Sequence, residues 1–465
     1  MFTTGSLNLL AVSDTAAAQA DVSAYHTALF AGILVITLGL LAAEKIHKTI
    51  LVLLSAGLCL FLADALGYFP HGEGHHLPVY IEMIEWEVIG IVIGATVFVE
   101  IAARSGVFTW ISIKVLKASR GDPFRLLVLF SILTVVFSAF LDNITAMIII
   151  GSLTIVSCRK LELDPKPFLI TEGIMTNVGG LLTLISSIPN IIIGKTAGIS
   201  YAKFLVVSVP YTIVAIAASM FVAKRIFGKA VSPLRDPKEK AHNLDLVMAF
   251  DEWETVRDRR FFYTSSLAVV AVILAFALHS QIPILKDFGI EIVALSAAVI
   301  MMLLHAKDVE HDLSNVEWSL VFFFVGLFTI IGVMEKALVL LKIGELLDTL
   351  TAYAGSVGLM WLTGIFSSVT DNIPLAAMLA KIFGPTPEAV AAVPRGQWWA
   401  VVFGANLGGN ITPIGSASTV VAVTIMRKNG VKITFMEFVK IGVFFALVQL
   451  ALASGYLLIL QRVLS

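Results

Sequence analysis

Apolar runs broken by short polar interruptions cover almost the whole chain, and the spacing of the interruptions sets the predicted elements. Residues 25–43, 49–67, 86–103, 203–223, 261–279, 286–305 and 434–461 are runs close to the roughly 20 residues a helix needs to cross a bilayer. Another run begins at Trp318. Two further stretches, 167–195 and 397–426, are long enough to span but are broken inside. In the first, Gly179-Gly180 and Ser186-Ser187-Ile188-Pro189-Asn190 interrupt the helix, because glycine loosens the backbone and proline removes a donor. Both read as discontinuous spanning helices. Segments 126–157 and 352–383 are apolar around a single Asp-Asn pair, and with basic residues flanking both ends of the first they read as re-entrant hairpins. Segments 105–118 and 337–350 are amphipathic and suit a membrane surface. The count is ten spans and two hairpins.

The polar interruptions occur twice. Ser138-Ala-Phe-Leu-Asp142-Asn143-Ile144-Thr145 is matched by Ser367-Ser-Val-Thr370-Asp371-Asn372-Ile373-Pro374. Thr176-Asn177-Val-Gly179-Gly180-Leu-Leu-Thr183 is matched by Ala405-Asn406-Leu-Gly408-Gly409-Asn410-Ile-Thr412. Asp142 to Asn177 is 177 − 142 = 35 positions, and Asp371 to Asn406 is 406 − 371 = 35. Upstream, Glu85-Trp86 with Gly94 is matched by Glu317-Trp318 with Gly326, the glycine eight positions after the tryptophan in each. The chain is an internal duplication. It divides into 1–85 (a tail and two peripheral helices), 86–223 (first repeat), 224–260 (linker), 261–317 (two linking helices) and 318–465 (second repeat).

Composition fixes the class. Of 465 residues 58% are hydrophobic and 14% charged, against about 25% charged in soluble domains. Only a helical membrane protein buries such a chain. A net charge of −1 without a basic block excludes nucleic acid as a partner and leaves the bilayer. Lysine and arginine in 44–48 and in 224–260, and their absence from 68–85, put the first two segments in the cytoplasm and the third outside. The first repeat then starts from outside and the second from inside, so the halves are inverted, with both termini outside and the linker cytoplasmic. The setting is a multi-pass membrane, a bacterial inner membrane by expectation. Ala16–Ala20 imitates a signal-peptidase site, but 1–12 has no basic residue, and no cleavage is expected. His71, His75 and His76 lack a tight ligand spacing and read as a solvated loop; Cys59 and Cys158 read as core residues.

Acid at mid-membrane is costly, about 2.5–3.5 kcal/mol on insertion scales, and non-helical backbone there must line a cavity or lie within protein. Two such sites at matching positions argue for one central binding site. Asp142, Asn143, Thr145, Asn177, Gly179, Gly180, Thr183 and Asn190 form one candidate oxygen-rich shell. Thr370, Asp371, Asn372, Asn406, Gly408, Gly409, Asn410, Thr412, Ser416 and Ser418 form its mate. Hard cations such as Na⁺ take oxygen ligands of this kind, with Asp142/Asn143 and Asp371/Asn372 as the candidate Na⁺ positions. A proton and a Na⁺ competing for one carboxylate give exchange if only occupied forms switch access. The competing reading of each Asp-Asn pair is a helix cap. An aspartyl intramembrane protease also uses two aspartates, but its Tyr-Asp and Gly-X-Gly-Asp signatures are missing and the chain reads as no enzyme. No cofactor is expected beyond Na⁺ and H⁺ as transported or coupling ions.

At these motifs the chain resembles the ion transporter superfamily, in the branch of arsenite permeases, NhaD-type sodium/proton antiporters and the melanosomal P protein. Ser138–Thr145, Thr176–Gly180, Ser368–Pro374, Phe403–Gly415 and Phe435–Phe438 carry the resemblance, which covers roughly 85–465. It implies a homodimer, a scaffold part, a moving part holding both hairpins, and elevator-type alternating access. The chain departs from the family where Ser186-Ser187-Ile188-Pro189-Asn190 replaces an acidic turn. The acidic tips favour Na⁺/H⁺ antiport. Proton-coupled efflux of arsenite or another small oxyacid, and Na⁺-coupled uptake of a dicarboxylate- or citrate-like anion, are the alternatives.

Overall fold

The structure is a computed structural model and describes residues 23–43, 45–69, 78–282, 289–305 and 309–464. His71, His75, His76 and the N-terminal tail through residue 22 lie outside the described residues. Every regular element among the described residues is a helix. The first half runs α1 (Ala24–Ala43), α2 (Lys48–Ala65), α3 (Val79–Met83), α4 (Trp86–Arg104), α5 (Val107–Ser119), α6 (Pro123–Ser138), α7 (Asn143–Lys160), α8 (Lys166–Gly179), α9 (Ile188–Thr196) and α10 (Tyr201–Phe227). The linker holds α11 (Pro237–Met248). The second half runs α12 (Arg259–Leu278), α13 (Ile290–His305), α14 (Val309–Ser314), α15 (Trp318–Lys336), α16 (Val339–Ser367), α17 (Asn372–Phe383), α18 (Pro387–Ala392), α19 (Arg395–Gly408), α20 (Ala417–Lys428) and α21 (Phe435–Leu464). Among the described residues eight helices are long and apolar enough to cross a membrane: α1, α2, α4, α10, α12, α15, α16 and α21. Large apolar side chains such as Leu54, Phe61, Leu267 and Leu303 stay exposed, as a lipid-facing surface requires.

The duplicated sequence folds as a duplicated structure. Helices α6 and α7 form the first hairpin, with Asp142 at its tip; the second arm of α16 and α17 form the other, with Asp371 at its tip. The discontinuous helices are α8/α9 and α19/α20. One helix, α16, is two elements in sequence terms. It breaks at Gly355 (φ 61°, ψ −165°), a left-handed backbone that favours glycine, so residues 339–354 answer α5 and residues 356–367 answer α6. The helix preceding each repeat crosses to the other half. Helix α13 packs along α4, where a Cβ on Gly94 would meet Ala294 C at 2.5 Å. Helix α2 packs along α15, where a Cβ on Gly326 would meet Val52 Cγ1 at 2.8 Å. Even the tryptophan anchors repeat: Trp86 Nε1 donates to Ile81 O (3.1 Å) and Trp318 Nε1 to Leu313 O (3.0 Å).

The repeats meet around a dense aromatic core. Tyr211 of α10, Phe403 of α19 and Tyr456 of α21 pack with centroids 4.8–6.1 Å apart, and Trp399 and Phe204 extend the cluster. The linker closes one end of the molecule. Its Glu252 pairs with Lys114 (2.5 Å) and Lys117 of α5, and Gly106 lies against Thr255. These lysines hold the Glu252 carboxyl down at about 2. Helix α5, expected along a membrane surface, is therefore held between the hairpin helices α6 and α7 and this linker, with Ser112 and Leu116 fully buried.

Candidate functional site

Each hairpin tip is built by its aspartate. Asp142 caps α7: its Oδ1 accepts the backbone N–H of Ile144 and of Thr145, both at 2.9 Å. Asp371 caps α17, its Oδ1 accepting Ile373 N–H at 3.2 Å. An N-cap aspartate satisfies orphan donors at the helix start. The capping reading and the binding reading are compatible, because capping occupies one carboxylate oxygen and leaves the second. In Asp371 the second oxygen, Oδ2, lies 3.3 Å from Lys48 Nζ. Among the described residues no ion pair reaches Asp142.

Both tips and both helix breaks face one cavity of about 530 Å³. Its chemistry comes from Asp142, Asn143, Asp371, Asn372, Ser186, Ser187 and Ser416, joined by Lys48 and Glu317. The N-termini of the second half-helices, Ile188 of α9 and Ala417 of α20, also reach it. Glu317 precedes the first residue of α15; burial pushes its carboxyl up, the nearby Asp142 adds to this, and Lys48 opposes it. Lys48 and Glu317 sit at the end of the molecule that carries the linker, where Arg104 pairs with Asp312. At the other end the matching glutamate, Glu85, is tied to Lys195 of α9 (2.5 Å) and Lys381 of α17 (3.1 Å), and Glu87 joins at 3.0 Å. Burial alone pushes the Glu85 carboxyl up, but the two lysines prevail and hold it below its ordinary value. Ion pairs thus stand at both ends of the site: the Glu85 cluster borders a cavity of about 430 Å³, and the Lys48–Asp371 pair lies in the cavity that the Asp-Asn tips face.

Behind the cavity wall, hydroxyls stitch each hairpin to its broken helix in a repeated pattern. Ser138 Oγ donates to Thr176 O (2.8 Å), and Ser367 Oγ to Ala405 O (2.6 Å). Thr183 Oγ1 donates to Ala139 O (2.7 Å), and Thr412 Oγ1 to Ser368 O (2.5 Å). The offset is the same throughout: 367 − 138 = 229 and 412 − 183 = 229. Gly179 and Gly408 are the points of closest approach. A Cβ on Gly179 would lie 2.7 Å from Val135 O, and one on Gly408 would overlap the Gly364 carbonyl. The first glycine of each Asn-X-Gly-Gly motif therefore serves packing, and Gly180 and Gly409 terminate the half-helices.

The asparagines join the halves to each other. Asn177 Nδ2 donates to Asn410 Oδ1 (2.8 Å) and Ser416 Oγ (2.9 Å), while Ser418 Oγ donates to Asn177 Oδ1 (3.3 Å). Asn406 Nδ2 donates to Asn190 Oδ1 (2.9 Å). Asn410 passes the chain outward to Gln449 (2.8 Å), which donates to Ser219 Oγ (2.9 Å). All of these side chains are buried, and losing one partner strands another, at about 1–3 kcal/mol each.

The sequence-derived candidates therefore separate into two layers. Asp142, Asn143, Asp371, Asn372 and Ser416 line the cavity. Asn177, Thr183, Asn190, Asn406, Asn410, Thr412 and Ser418 form the buried lattice behind it. Thr145 and Thr370 are outside the cavity lining, and the Thr370 hydroxyl is taken by Phe366 O (2.8 Å). Sequence reasoning missed Lys48, Glu317, Lys195 and Lys381. Lys48 stood out only as a topology signal and Glu317 only as a repeat landmark, since nothing in their local pattern says that α2 and α15 border the hairpin tips. Glu172 of α8 is fully buried, one oxygen taking the Thr154 hydroxyl at 2.6 Å, and Glu100 lies 3.5 Å from Asn315 Nδ2.

Residues 38–404 match the model of the CitMHS family, described as citrate transporters. The chain belongs to that family, within the ion transporter superfamily. It is 30% identical over 444 residues to a 46 kDa membrane protein of Mycobacterium leprae, covering 93% of this chain and 98% of that protein. It is 30% identical over 426 residues to an uncharacterized transporter of Mycobacterium tuberculosis, covering 90% of this chain and 95% of the relative. To the mouse P protein it is 27% identical over 498 residues, covering 90% of this chain and 58% of that longer protein. Among solved structures, the YdaH transporter of Alcanivorax borkumensis superposes with a TM-score of 0.61 at 14% identity, over 89% of this chain and 98% of that one. MtrF of Neisseria gonorrhoeae gives 0.58 at 12% identity, over 91% and 97%. These two likenesses carry the fold. The chain is a multi-pass membrane transporter with an inverted repeat, two re-entrant hairpins and two discontinuous helices.

Proposed function

We propose that this transporter exchanges Na⁺ for H⁺, with alternating access around the paired Asp-Asn tips. The charge of the cavity carries the reading. Three carboxylates, Asp142, Asp371 and Glu317, share the cavity with one ammonium, Lys48, and Asp142 has no ion pair among the described residues. With three carboxylates against one ammonium on a largely apolar wall, the cavity attracts a hard cation and repels a free carboxylate. The oxygen of Asp142 left by capping supplies a carboxylate beside the Asn143 amide, whose own Oδ1 already takes the Ser138 hydroxyl at 2.5 Å. A proton neutralises the same carboxylate, so the two ions compete for one charge. Elevator-type movement of the hairpins, a homodimer, and the linker facing the cytoplasm belong to this proposal.

One observation favours a second reading. The N-termini of α9 and α20 both reach the cavity, and such termini attract anions. Together with the family's description as citrate transporters, this supports entry of a citrate-like anion accompanied by a cation. The discriminating test is equilibrium binding of ²²Na⁺ to the purified protein. Antiport predicts binding that is lost as pH falls, is abolished in Asp142→Asn, and needs no anion. Binding that appears only when citrate is present supports the second reading and removes the first.

A further inference from the structure

Asp371 and Asp142 are equivalent by sequence but not by surroundings, and the difference is Lys48. This lysine opens α2, and α2 is bound to α15 by the Gly326–Val52 approach and by the Thr49 hydroxyl, which donates to Ser319 O at 2.7 Å. The ammonium stands over the Phe323 ring at 5.2 Å and reaches across to Asp371 Oδ2 at 3.3 Å, at the tip of the other hairpin. The corresponding position in the other half follows from the helix pairs. Val52 faces Gly326 as Ala294 faces Gly94, and Lys48 lies four residues before Val52 as Ile290 lies four before Ala294. Where one half has an ammonium, the other has an isoleucine.

We propose that Lys48 is a built-in surrogate cation: it occupies the free oxygen of Asp371 while the site is empty, and a transported cation or proton must displace it. The inference rests on the antiport reading and adds its coupling device. Exchange without leak requires that the empty carrier not change access. The Lys48–Asp371 pair supplies that restraint, because it ties a hairpin tip to the α2–α15 pair whenever Asp371 is charged and unoccupied. Binding of Na⁺ or H⁺ to Asp371 removes the lysine's partner and releases the tip. The charged groups facing the pair are Asp142 and Glu317 across the cavity, with His47 beside the lysine. The ion pair is partly exposed, with side-chain exposures of 42% and 28%, so its worth is that of a screened pair and a cation at millimolar concentration can compete.

The test uses Lys48→Gln and Lys48→Arg in the full-length protein in liposomes, together with a Thr96→Cys reporter on the cavity wall, against the buried Cys59 and Cys158. In Lys48→Gln the Na⁺ concentration for half-maximal proton movement falls on the order of threefold, the worth of such a pair. Na⁺ then also leaves liposomes without proton exchange when K⁺ and valinomycin balance its charge, and the labelling rate of Thr96→Cys by a charged maleimide in Na⁺-free choline buffer falls severalfold. Lys48→Arg restores all three. Unchanged half-saturation, leak and labelling in Lys48→Gln overturn the proposal. If the wild type ignores every cation while Lys48→Gln still alters labelling, the restraint stands and the antiport reading falls. If the wild type exchanges Na⁺ for H⁺ and Lys48→Gln labels as wild type, the proposal alone falls.

Discussion

Replacing Asp142 by asparagine and by alanine separates the two roles that its carboxylate combines. Its Oδ1 takes the N–H groups of Ile144 and Thr145, both at 2.9 Å. Asparagine caps a helix about as well as aspartate, so Asp142→Asn keeps these bonds and loses only the charge–dipole term at the start of α7, about 0.3–1 kcal/mol. Asp142→Ala loses that term and the cap, a further 0.5–2 kcal/mol or about 1 in the typical case. Thermal unfolding followed by fluorescence-detected gel filtration should therefore rank wild type above Asp142→Asn and Asp142→Ala lowest. Na⁺ transport should not follow this ranking: both variants lose it, because both lack the charge that meets the cation. Wild-type transport in a well-folded Asp142→Asn would refute the reasoning and reduce Asp142 to a cap. Transport in Asp142→Asn that declines only in proportion to its stability would refute it equally.

Three further outcomes follow from named contacts. Gly179→Ala pushes a methyl to within 2.7 Å of Val135 O and 2.8 Å of Ser138 Cβ, and should cost about 1–3 kcal/mol by overpacking, read as a lower unfolding temperature with the hairpin tip displaced. Glu85→Gln removes the charge that holds both Lys195 and Lys381, and should raise the labelling of a cysteine placed at Thr196, in the 430 Å³ cavity beside that cluster. Unchanged labelling would show that these pairs do not keep that end closed. The linker's docking should respond to acid in a set direction. Glu252 is held at about 2 against an ordinary 4.5, so its contribution is fully present above 4.5 and is lost as pH falls toward 2. Limited proteolysis of 228–258 should be constant from pH 7 down to about 5 in wild type and faster at every pH in Glu252→Gln.

Much of the architecture was legible because a membrane restricts the options: a run near 20 apolar residues is a span, and a polar pair inside one is a hairpin tip or a break. Asp142–Asn143 and Asp371–Asn372 were placed at two tips by that logic together with the basic residues flanking the first hairpin; the common 35-residue interval carried the duplication, and loop charge its inversion. The missing pieces share a physical cause. Lys48 and Glu317 enter the cavity through the packing of α2 against α15, a contact between segments 270 residues apart whose only local trace is a glycine, Gly326. The break in α16 was read between the segments 337–350 and 352–383, a few residues early, because only the positive φ of Gly355 marks its place. The asparagines and second-motif hydroxyls were read as one shell with the aspartates. Seen in three dimensions Asn177, Asn190, Asn406, Asn410 and Ser418 are fully buried and bonded across the halves, while Asn143, Asn372 and Ser416 line the cavity, so burial, which no local pattern reports, separates the wall of the cavity from the lattice behind it.

The most direct test of cation–proton exchange is proton movement in proteoliposomes carrying a pH-sensitive dye, challenged at fixed pH with Na⁺, Li⁺, K⁺, arsenite and citrate in turn. The account predicts an immediate pH change with Na⁺ or Li⁺ and none after Asp142→Asn or Asp371→Asn. Silence to every cation, with a response to citrate or arsenite, would contradict it.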